Sequence, residues 1–364
     1  MKSSPRLAAM ALLLTPALGC MATPDDPGGD PPDPPSGPDA GPPPSPPDAQ
    51  VPPTVGFRTC MDGVMPADLP QVDWSNPLND VITLADPWHS AQDVIAATGH
   101  DTNLAGKFSY GDISKDLEGE RIEVWIDDCA GGYRKLGEQV SNSDGRIGLP
   151  LSSAEVPAAG VYGLVFRVMG DDSTAASVLR VYPPGTHFVV FDIDATLTTS
   201  DSELVGQIVA EILTGIVAPP DARAGAHDIA ALRHQQGYEL IYLTGRPYLL
   251  DALTRGWLDD LSFPGGTVHL TDEVADSWPS ESAVGDYKAD FLQSVLDLGF
   301  TIDLAYGNAS SDIYAYEQVG VAKERTYILG ENGGMAGTVA LGDTYLAHLD
   351  DAAAEAAPEQ PFER

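Results

Sequence analysis

The sequence predicts two folded units in series, a β-sandwich followed by a doubly wound α/β domain built on a parallel sheet. From about 78 to 183, short alternating apolar runs are separated by turn residues. From 186 onward, apolar strands alternate with helical patterns. The 364 residues leave room for two domains and tails.

The chain starts with Lys2 and Arg6, then the apolar run Leu7 to Leu14, then Pro16-Ala17-Leu18-Gly19-Cys20. This resembles a lipoprotein signal peptide over 1–20 with lipidation at Cys20. It predicts a chain held by an N-terminal lipid anchor in the bacterial cell envelope. The candidate places are the outer membrane, the periplasmic face and the cell surface. The apolar run is too short to span a bilayer, and no other segment approaches ~18 apolar residues. Residues 21–55 are rich in Pro, Gly and Asp and bury too little apolar surface to fold. At ~3.1 Å per residue the Pro, Gly and Asp run at 24–53 reaches roughly 90 Å. With Cys20 lipidated, Cys60 and Cys129 are the two cysteines left in an exported chain, a disulfide candidate set against two separate buried thiols. No Cys/His spacing suggests zinc.

The net charge is −35. No basic stripe exists to neutralise nucleic acid, and broad adhesion to anionic membranes is disfavoured. One anionic headgroup in a local, metal-loaded pocket remains compatible with it.

The sandwich is placed at 78–183, of immunoglobulin-like or transthyretin-like kind. Its strand candidates are Leu104 to Tyr110, Arg121 to Ile126, Gly145 to Leu149, Val161 to Val168 and Ser177 to Val181. Turns fall at Ser143-Asp144-Gly145 and Gly170-Asp171-Asp172. No catalytic cluster stands out, so an accessory role is expected. The α/β domain is placed at 186–345, with strands at 187–192, 239–244, 266–270, 302–306 and 325–329. Helices are expected at 203–214, 223–236, 248–260, 287–298 and 311–319. The Ala/Asp/Glu-rich tail, 350–364, is expected to fray.

Four pieces fall at strand ends or helix starts, where open α/β sheets bind ligands. The first is Phe191-Asp192-Ile193-Asp194-Ala195-Thr196-Leu197-Thr198. Carboxylates two residues apart at a strand end face one side and resist joint ionisation, so a cation or a proton transfer has use for them. The second is Leu243-Thr244-Gly245-Arg246-Pro247, whose hydroxyl and backbone N–H groups suit a phosphate oxygen. Lys288 is the third, a cation for the phosphoryl oxygens and the attacking carboxylate. The fourth, Tyr306 to Asp312, offers Asn308 and Asp312 as oxygen ligands for Mg²⁺.

In this order the pieces resemble the haloacid-dehalogenase-like superfamily. The stretch 187 to about 331 resembles its lipin-type domain, found in phosphatidate phosphatases and at the end of membrane-associated phosphatidylinositol-transfer proteins. The residues that match are Phe191 to Thr198, Arg223-Ala224-Gly225-Ala226, Tyr242 to Pro247 and Ala305 to Leu329. Ala195 departs from the Gly usual in that family, which asks whether the backbone there needs positive φ. The resemblance implies that Asp192 is the nucleophile, Asp194 the general acid and base, and Thr244 and Lys288 the rest of the catalytic set. It implies substrate contacts from Thr244, Gly245, Arg246 and Lys288, and one Mg²⁺ on Asp192, the backbone of Asp194, and Asp312, with Asn308 nearby.

About fifty residues separate the first two motifs and about forty the second from the third, too few for a large cap domain. An open site suits a bulky phosphomonoester, phosphatidic acid above all. The expected function is therefore a Mg-dependent phosphatidate phosphatase. A non-catalytic phosphatidic-acid sensor and a phosphatase of soluble phosphomonoesters are the alternatives. A third is an envelope interaction protein that uses the α/β domain as a scaffold. Arg223, Arg246, Arg255 and Lys288 are expected to form a positive rim.

Overall fold

The computed structural model describes residues 57–111, 115–199, 220–271, 281–359 and 361–362. The expected signal peptide, Cys20, the spacer and the helix at 203–214 lie outside the described residues. The described residues belong to one compact unit.

The first half is built from strands. They are β1 (Arg58–Cys60), β2 (Ser90–Ala91), β3 (Val94–Ala97), β4 (Thr102–Lys107), β5 (Ser109–Tyr110) and β6 (Lys115–Asp116). Then follow β7 (Arg121–Asp127), β8 (Tyr133–Val140), β9 (Arg146–Leu151), β10 (Gly160–Val168) and β11 (Thr174–Tyr182). A short helix, α1 (Asn79–Ile82), precedes β2. One sheet runs β3-β11-β10-β7-β8, with β1 alongside β10, and the other runs β2-β4-β9. The core strands pair antiparallel, whereas β3 joins β11 and β1 joins β10 in parallel, so the larger sheet is mixed. Leu104, Val124, Phe166 and Leu179 fill the space between the layers. Strand side chains alternate, so each strand sends every second residue into that core. Cys60 and Cys129 form a disulfide with Cα atoms 4.8 Å apart, which ties β1 to the turn after β7.

The second half contains β12 (His187–Asp192), α2 (Ala226–Gln235), β13 (Glu239–Pro247), α3 (Asp251–Asp260), β14 (Thr267–Thr271) and α4 (Glu281–Asp297). It continues with β15 (Thr301–Gly307), α5 (Ser310–Gln318), β16 (Thr326–Leu329), β17 (Val339–Gly342) and α6 (Leu349–Ala354). The six strands form one sheet in the order β14-β13-β12-β15-β16-β17. Every pairing in it is parallel. The chain reverses its direction of sheet growth between β12 and β15, and the crevice at such a reversal is where open α/β sheets place their ligands. Val189, Phe191, Leu240 and Tyr242 face one core, with residues of α2 and α3. Phe188, Val190, Ile241 and Leu243 face the other, with residues of α4 and α5. Both faces are covered, so these strands read as continuous apolar runs.

Ile95, Ala97 and Tyr182 of the sandwich belong to this second core. Tyr182 donates to Glu239 at 2.6 Å within it. Two expectations change here. The tail does not fray at 349–354 but forms α6, whose Ala352 carbonyl accepts from Gln236 Nε2 at 2.8 Å. Beyond α6, Phe362 packs edge-on against Tyr182 and Phe57. An edge strand, β17, joins a sheet for which only five strands were expected.

Candidate functional site

Asp192 is the last residue of β12, opposite Leu243 of β13. Past it the chain turns tightly, because the N–H groups of Thr196, Leu197 and Thr198 all point at the Ile193 carbonyl. The turn puts Ala195 in the left-handed region at φ 55°, the conformation its substitution for Gly called into question. Thr196 Oγ1 donates to Asp192 Oδ2 at 2.7 Å.

Lys288 enters from α4. Its Nζ lies 2.6 Å from Asp192 Oδ1 and 2.6 Å from Asp312 Oδ1, and all three side chains are buried. Asp312 sits in the first turn of α5, where its Oδ2 accepts from the backbone N–H of Asn308 at 2.9 Å and of Ala309 at 3.0 Å. That capping role fixes the carboxylate at the helix start. Gly307 permits it, since a Cβ there would stand 2.6 Å from that of Asp312. Burial pushes the Asp192 carboxyl up to about 7, helped by the Asp312 charge and opposed by Lys288. Burial acts to lower Lys288, but the two carboxylates hold it well above the usual lysine value.

Asp194 faces a different set of partners. Thr244 Oγ1 donates to its Oδ2 at 2.8 Å. Arg246 Nε lies 3.0 and 3.1 Å from its two oxygens, and Nη2 2.9 Å from Oδ1. The third guanidinium nitrogen, Nη1, donates to Thr254 Oγ1 at 3.1 Å. Thr244 and Arg246, expected on substrate, are thus both turned onto Asp194. The parallel register of β12 and β13 sets the two strand ends side by side and brings this about. Gly245 lies between them, on β13.

The expected positive rim is corrected. Arg223 donates to the carbonyls of Ala195 at 2.8 Å and Asp343 at 3.0 Å. Arg255 pairs with Asp93 and Asp251. Arg246 and Lys288 are held by the site's own carboxylates. Sequence reasoning named these cations without their partners, and it gave no role to Thr196, Thr254 or Asp93. Thr196 lay inside the first motif, where its side chain could have been read as a donor to Asp192. Asp93 carries no local signal.

Among the described residues, no three His, Cys, Asp or Glu side chains form a ready metal cage. The carboxylate of Asp194 is turned toward Arg246, which leaves its carbonyl for any ion. The donor chemistry at that point still fits a hard cation. With its amide nitrogen turned inward, Asn308 lies 3.0 Å from the Asp194 carbonyl oxygen and 3.3 Å from Asp192 Oδ2. Oxygens of Asp192 and Asp194 therefore converge beside an amide that could turn its own oxygen inward, with Asp312 next to them. Such an all-oxygen set suits Mg²⁺.

Comparison with known proteins matches residues 189–330 to the model "PITM 1-3, LNS2 domain" and residues 87–181 to "PITM 1-3, beta-sandwich domain". Protein retinal degeneration B of Drosophila melanogaster is 33% identical over 266 residues, covering 72% of this chain and 20% of that protein. Membrane-associated phosphatidylinositol transfer protein 1 of Rattus norvegicus is 32% identical over 267 residues, covering 72% and 20%. Membrane-associated phosphatidylinositol transfer protein 3 of Homo sapiens is 31% identical over 269 residues, covering 72% and 26%. The chain spans about a fifth to a quarter of the length of these relatives. The reading as a bacterial envelope lipoprotein is corrected by these findings. The matching models are those of PITM proteins, and the relatives are eukaryotic, those of rat and human being named as membrane-associated. The signal-like start that suggested export is a short compositional pattern, whereas the matches rest on some 270 aligned residues. What the chain carries is a PITM-type β-sandwich domain followed by an LNS2 domain of haloacid-dehalogenase-like, lipid-related kind.

Proposed function

We propose that the α/β domain is a Mg-dependent phosphomonoester hydrolase acting through an aspartyl-phosphate, with phosphatidic acid as the leading substrate. The observation that carries this is the buried Lys288 ammonium, shared at 2.6 Å between Asp192 and Asp312, with Asp194 held separately two residues beyond the first. A motif kept only as scaffold would have no reason to bury three carboxylates against two cations. Three carboxyl groups, those of Asp192, Asp194 and Asp312, share two cations, Lys288 and Arg246.

Asp192 attacks phosphorus, the bond from phosphorus to the alcohol oxygen breaks, and Asp194 gives that oxygen a proton. Asp194 then takes a proton from water, the water oxygen attacks the same phosphorus, and the bond to Asp192 breaks to release phosphate. Lys288 keeps Asp192 oriented and offsets its charge. Thr196 fixes the second Asp192 oxygen, and Thr244 with Arg246 aims Asp194. Asp192, the Asp194 carbonyl, Asn308 and Asp312 would hold Mg²⁺, which supplies positive charge to a dianionic phosphoryl group that this acidic site would otherwise repel.

The lipid part of the reading is supported by relatives named as membrane-associated phosphatidylinositol transfer proteins. Those names equally favour the second reading, a phosphatidic-acid sensor without turnover. Phosphate release from phosphatidic acid in mixed micelles, with and without Mg²⁺ and with Asp192→Asn in parallel, separates them. Release that needs both Mg²⁺ and Asp192 is the expected result. Release only from soluble phosphomonoesters would move the substrate. Binding of phosphatidic acid with no release from any ester would establish the sensor.

A further inference from the structure

A carboxylate of the sandwich, Asp93, is bonded directly to elements of the α/β domain. Asp93 lies in the link between β2 and β3, with its side chain fully buried. Its Oδ1 accepts from Val178 N of β11 at 2.8 Å and from Arg255 Nη1 of α3 at 3.0 Å. Its Oδ2 accepts from Val268 N of β14 at 3.0 Å and lies 3.4 Å from Arg180 Nη1. One residue of the sandwich therefore fastens two elements of the α/β domain. Burial alone would raise the Asp93 carboxyl, yet Arg255, Arg180 and the Val268 N–H keep it below the usual carboxylate range, so it stays charged.

From Asp93 the contacts continue inward. Arg255 Nε bonds Asp251 Oδ1 at 2.8 Å, which clamps the first turns of α3. Thr254, the neighbour of Arg255 and fully buried, accepts from Arg246 Nη1 at 3.1 Å. Arg246 then grips Asp194 with its other two nitrogens. The path is continuous from the sandwich to the acid-base carboxylate, and every link is a hydrogen bond or ion pair between named side chains or a turn of one helix.

We propose that Asp93 and Arg255 are positioning residues for phosphoester cleavage, holding Asp194 in register through α3, Thr254 and Arg246. The inference rests on the reading of Asp194 as proton donor to the leaving alcohol. A donor works only within hydrogen-bond reach of that oxygen. A displacement of about 1 Å is enough to cost up to ~10²-fold in rate. The sandwich is then part of the working site and not an attached module.

The test exploits leaving groups. An alkyl phosphomonoester needs its departing oxygen protonated, whereas p-nitrophenyl phosphate releases a stabilised phenolate and needs little help. The full chain is compared with Arg255→Gln, Thr254→Val and, as the benchmark, Asp194→Asn. Substrates are phosphatidic acid in micelles, glycerol phosphate and p-nitrophenyl phosphate. Arg255→Gln and Thr254→Val are expected to lose ~10-fold or more in kcat/KM on the alkyl esters, and under about threefold on the aryl ester, because kcat/KM reports the step in which the alcohol leaves and not the later hydrolysis of the aspartyl-phosphate, which is common to all three substrates. That pattern is the benchmark's in weaker form. Equal losses on all substrates, or none, in the presence of wild-type turnover would overturn the positioning role and leave the hydrolase reading intact. Wild-type turnover of no ester overturns both. If Arg255→Gln does not fold, Thr254→Val decides, since it replaces one hydroxyl by a methyl.

Discussion

The sandwich and the α/β domain both bury charge, and they balance it differently. In the sandwich, Glu123 accepts from Arg167 Nη1 and Lys135 Nζ at 2.8 Å each, and Arg167 also pairs with Asp172. Burial works to raise Glu123, but Lys135 and Arg167 bring it below its ordinary value. His89, Ser173 and Asp171 look like a nucleophile relay, with His89 Nε2 2.9 Å from Ser173 Oγ and Ser173 donating to Asp171 at 2.6 Å. However, the Ser109 N–H points at His89 Nδ1, so Nε2 carries the proton and His89 cannot serve Ser173 as base. Burial pushes this histidine down to about 4, with Asp171 pulling the other way. At the end of the parallel sheet, by contrast, three carboxylates meet two cations, and Asp192 is pushed up instead of down. Balanced buried charge holds a fold together, whereas a surplus of one sign marks a place kept for a ligand or a proton.

The largest effect that would break this contrast is at Lys288. Lys288→Met should lower kcat by ~10²–10³-fold, as expected for loss of one oriented electrostatic group. Steady-state phosphate release checks it, and an unchanged kcat would make Lys288 a structural cation like those of the sandwich. Arg167→Met should act in the opposite way. It strips a balanced cluster of its buried cation and should cost about 3–5 kcal/mol of stability. Denaturant titration reads that loss, while kcat of the folded fraction should stay at wild type.

Asp192 gives a prediction with a sign. Its pKa is 3.8 as an ordinary carboxyl and about 7 in the fold, through burial first and then Asp312. The native state therefore binds a proton that the unfolded chain has released, and stability falls as pH rises from ~4 to ~7. Asp192→Asn removes that penalty and leaves Lys288 paired with Asp312. In metal-free buffer the variant should exceed wild type by about 2–4 kcal/mol at pH 8 and match it at pH 4. Urea midpoints at the two pH values test this, and a variant less stable at pH 8 would show that Lys288 needs both carboxylates.

How much could be read beforehand follows from the range of each interaction. The apolar runs at 187–192 and 302–306 gave β12 and β15 because a strand buried on both faces writes itself locally. Asp192, Lys288, Asn308 and Asp312 were legible because each sits at a strand end or helix start within its own motif. The partners of Arg246 and Arg255 were not, since Arg246 lies 52 residues from Asp194 and Arg255 lies 162 from Asp93. No periodicity reports such pairs, so cations that looked free proved to be paired. The tail misled by composition. Its Ala and Asp residues promise little burial, yet α6 needs only Ala352 buried and its carbonyl caught by Gln236 to dock.

The smallest predicted effect concerns backbone and not charge. Ala195 sits at φ 55° between Asp194 and Thr196, and its N–H donates to Thr198 Oγ1 at 2.9 Å. An L-residue with a Cβ pays roughly 1–2 kcal/mol for the left-handed conformation, which Gly adopts freely. Gly also loses more freedom on folding, which takes back about 0.5–1 kcal/mol. Ala195→Gly should therefore stabilise the protein by a net ~0.5–1 kcal/mol. Calorimetry on the pair would show a small rise in Tm. The Arg223 guanidinium that holds the Ala195 carbonyl, and the Thr198 hydroxyl that holds its N–H, would keep the turn in place. With the turn fixed from both sides, kcat should stay within about twofold, because the strain is imposed by these neighbours and is not released in the reaction. A gain in stability bought with a large loss of kcat would mean the reverse, that the stiffness of Ala195 itself holds Asp192 and Asp194 at their working separation.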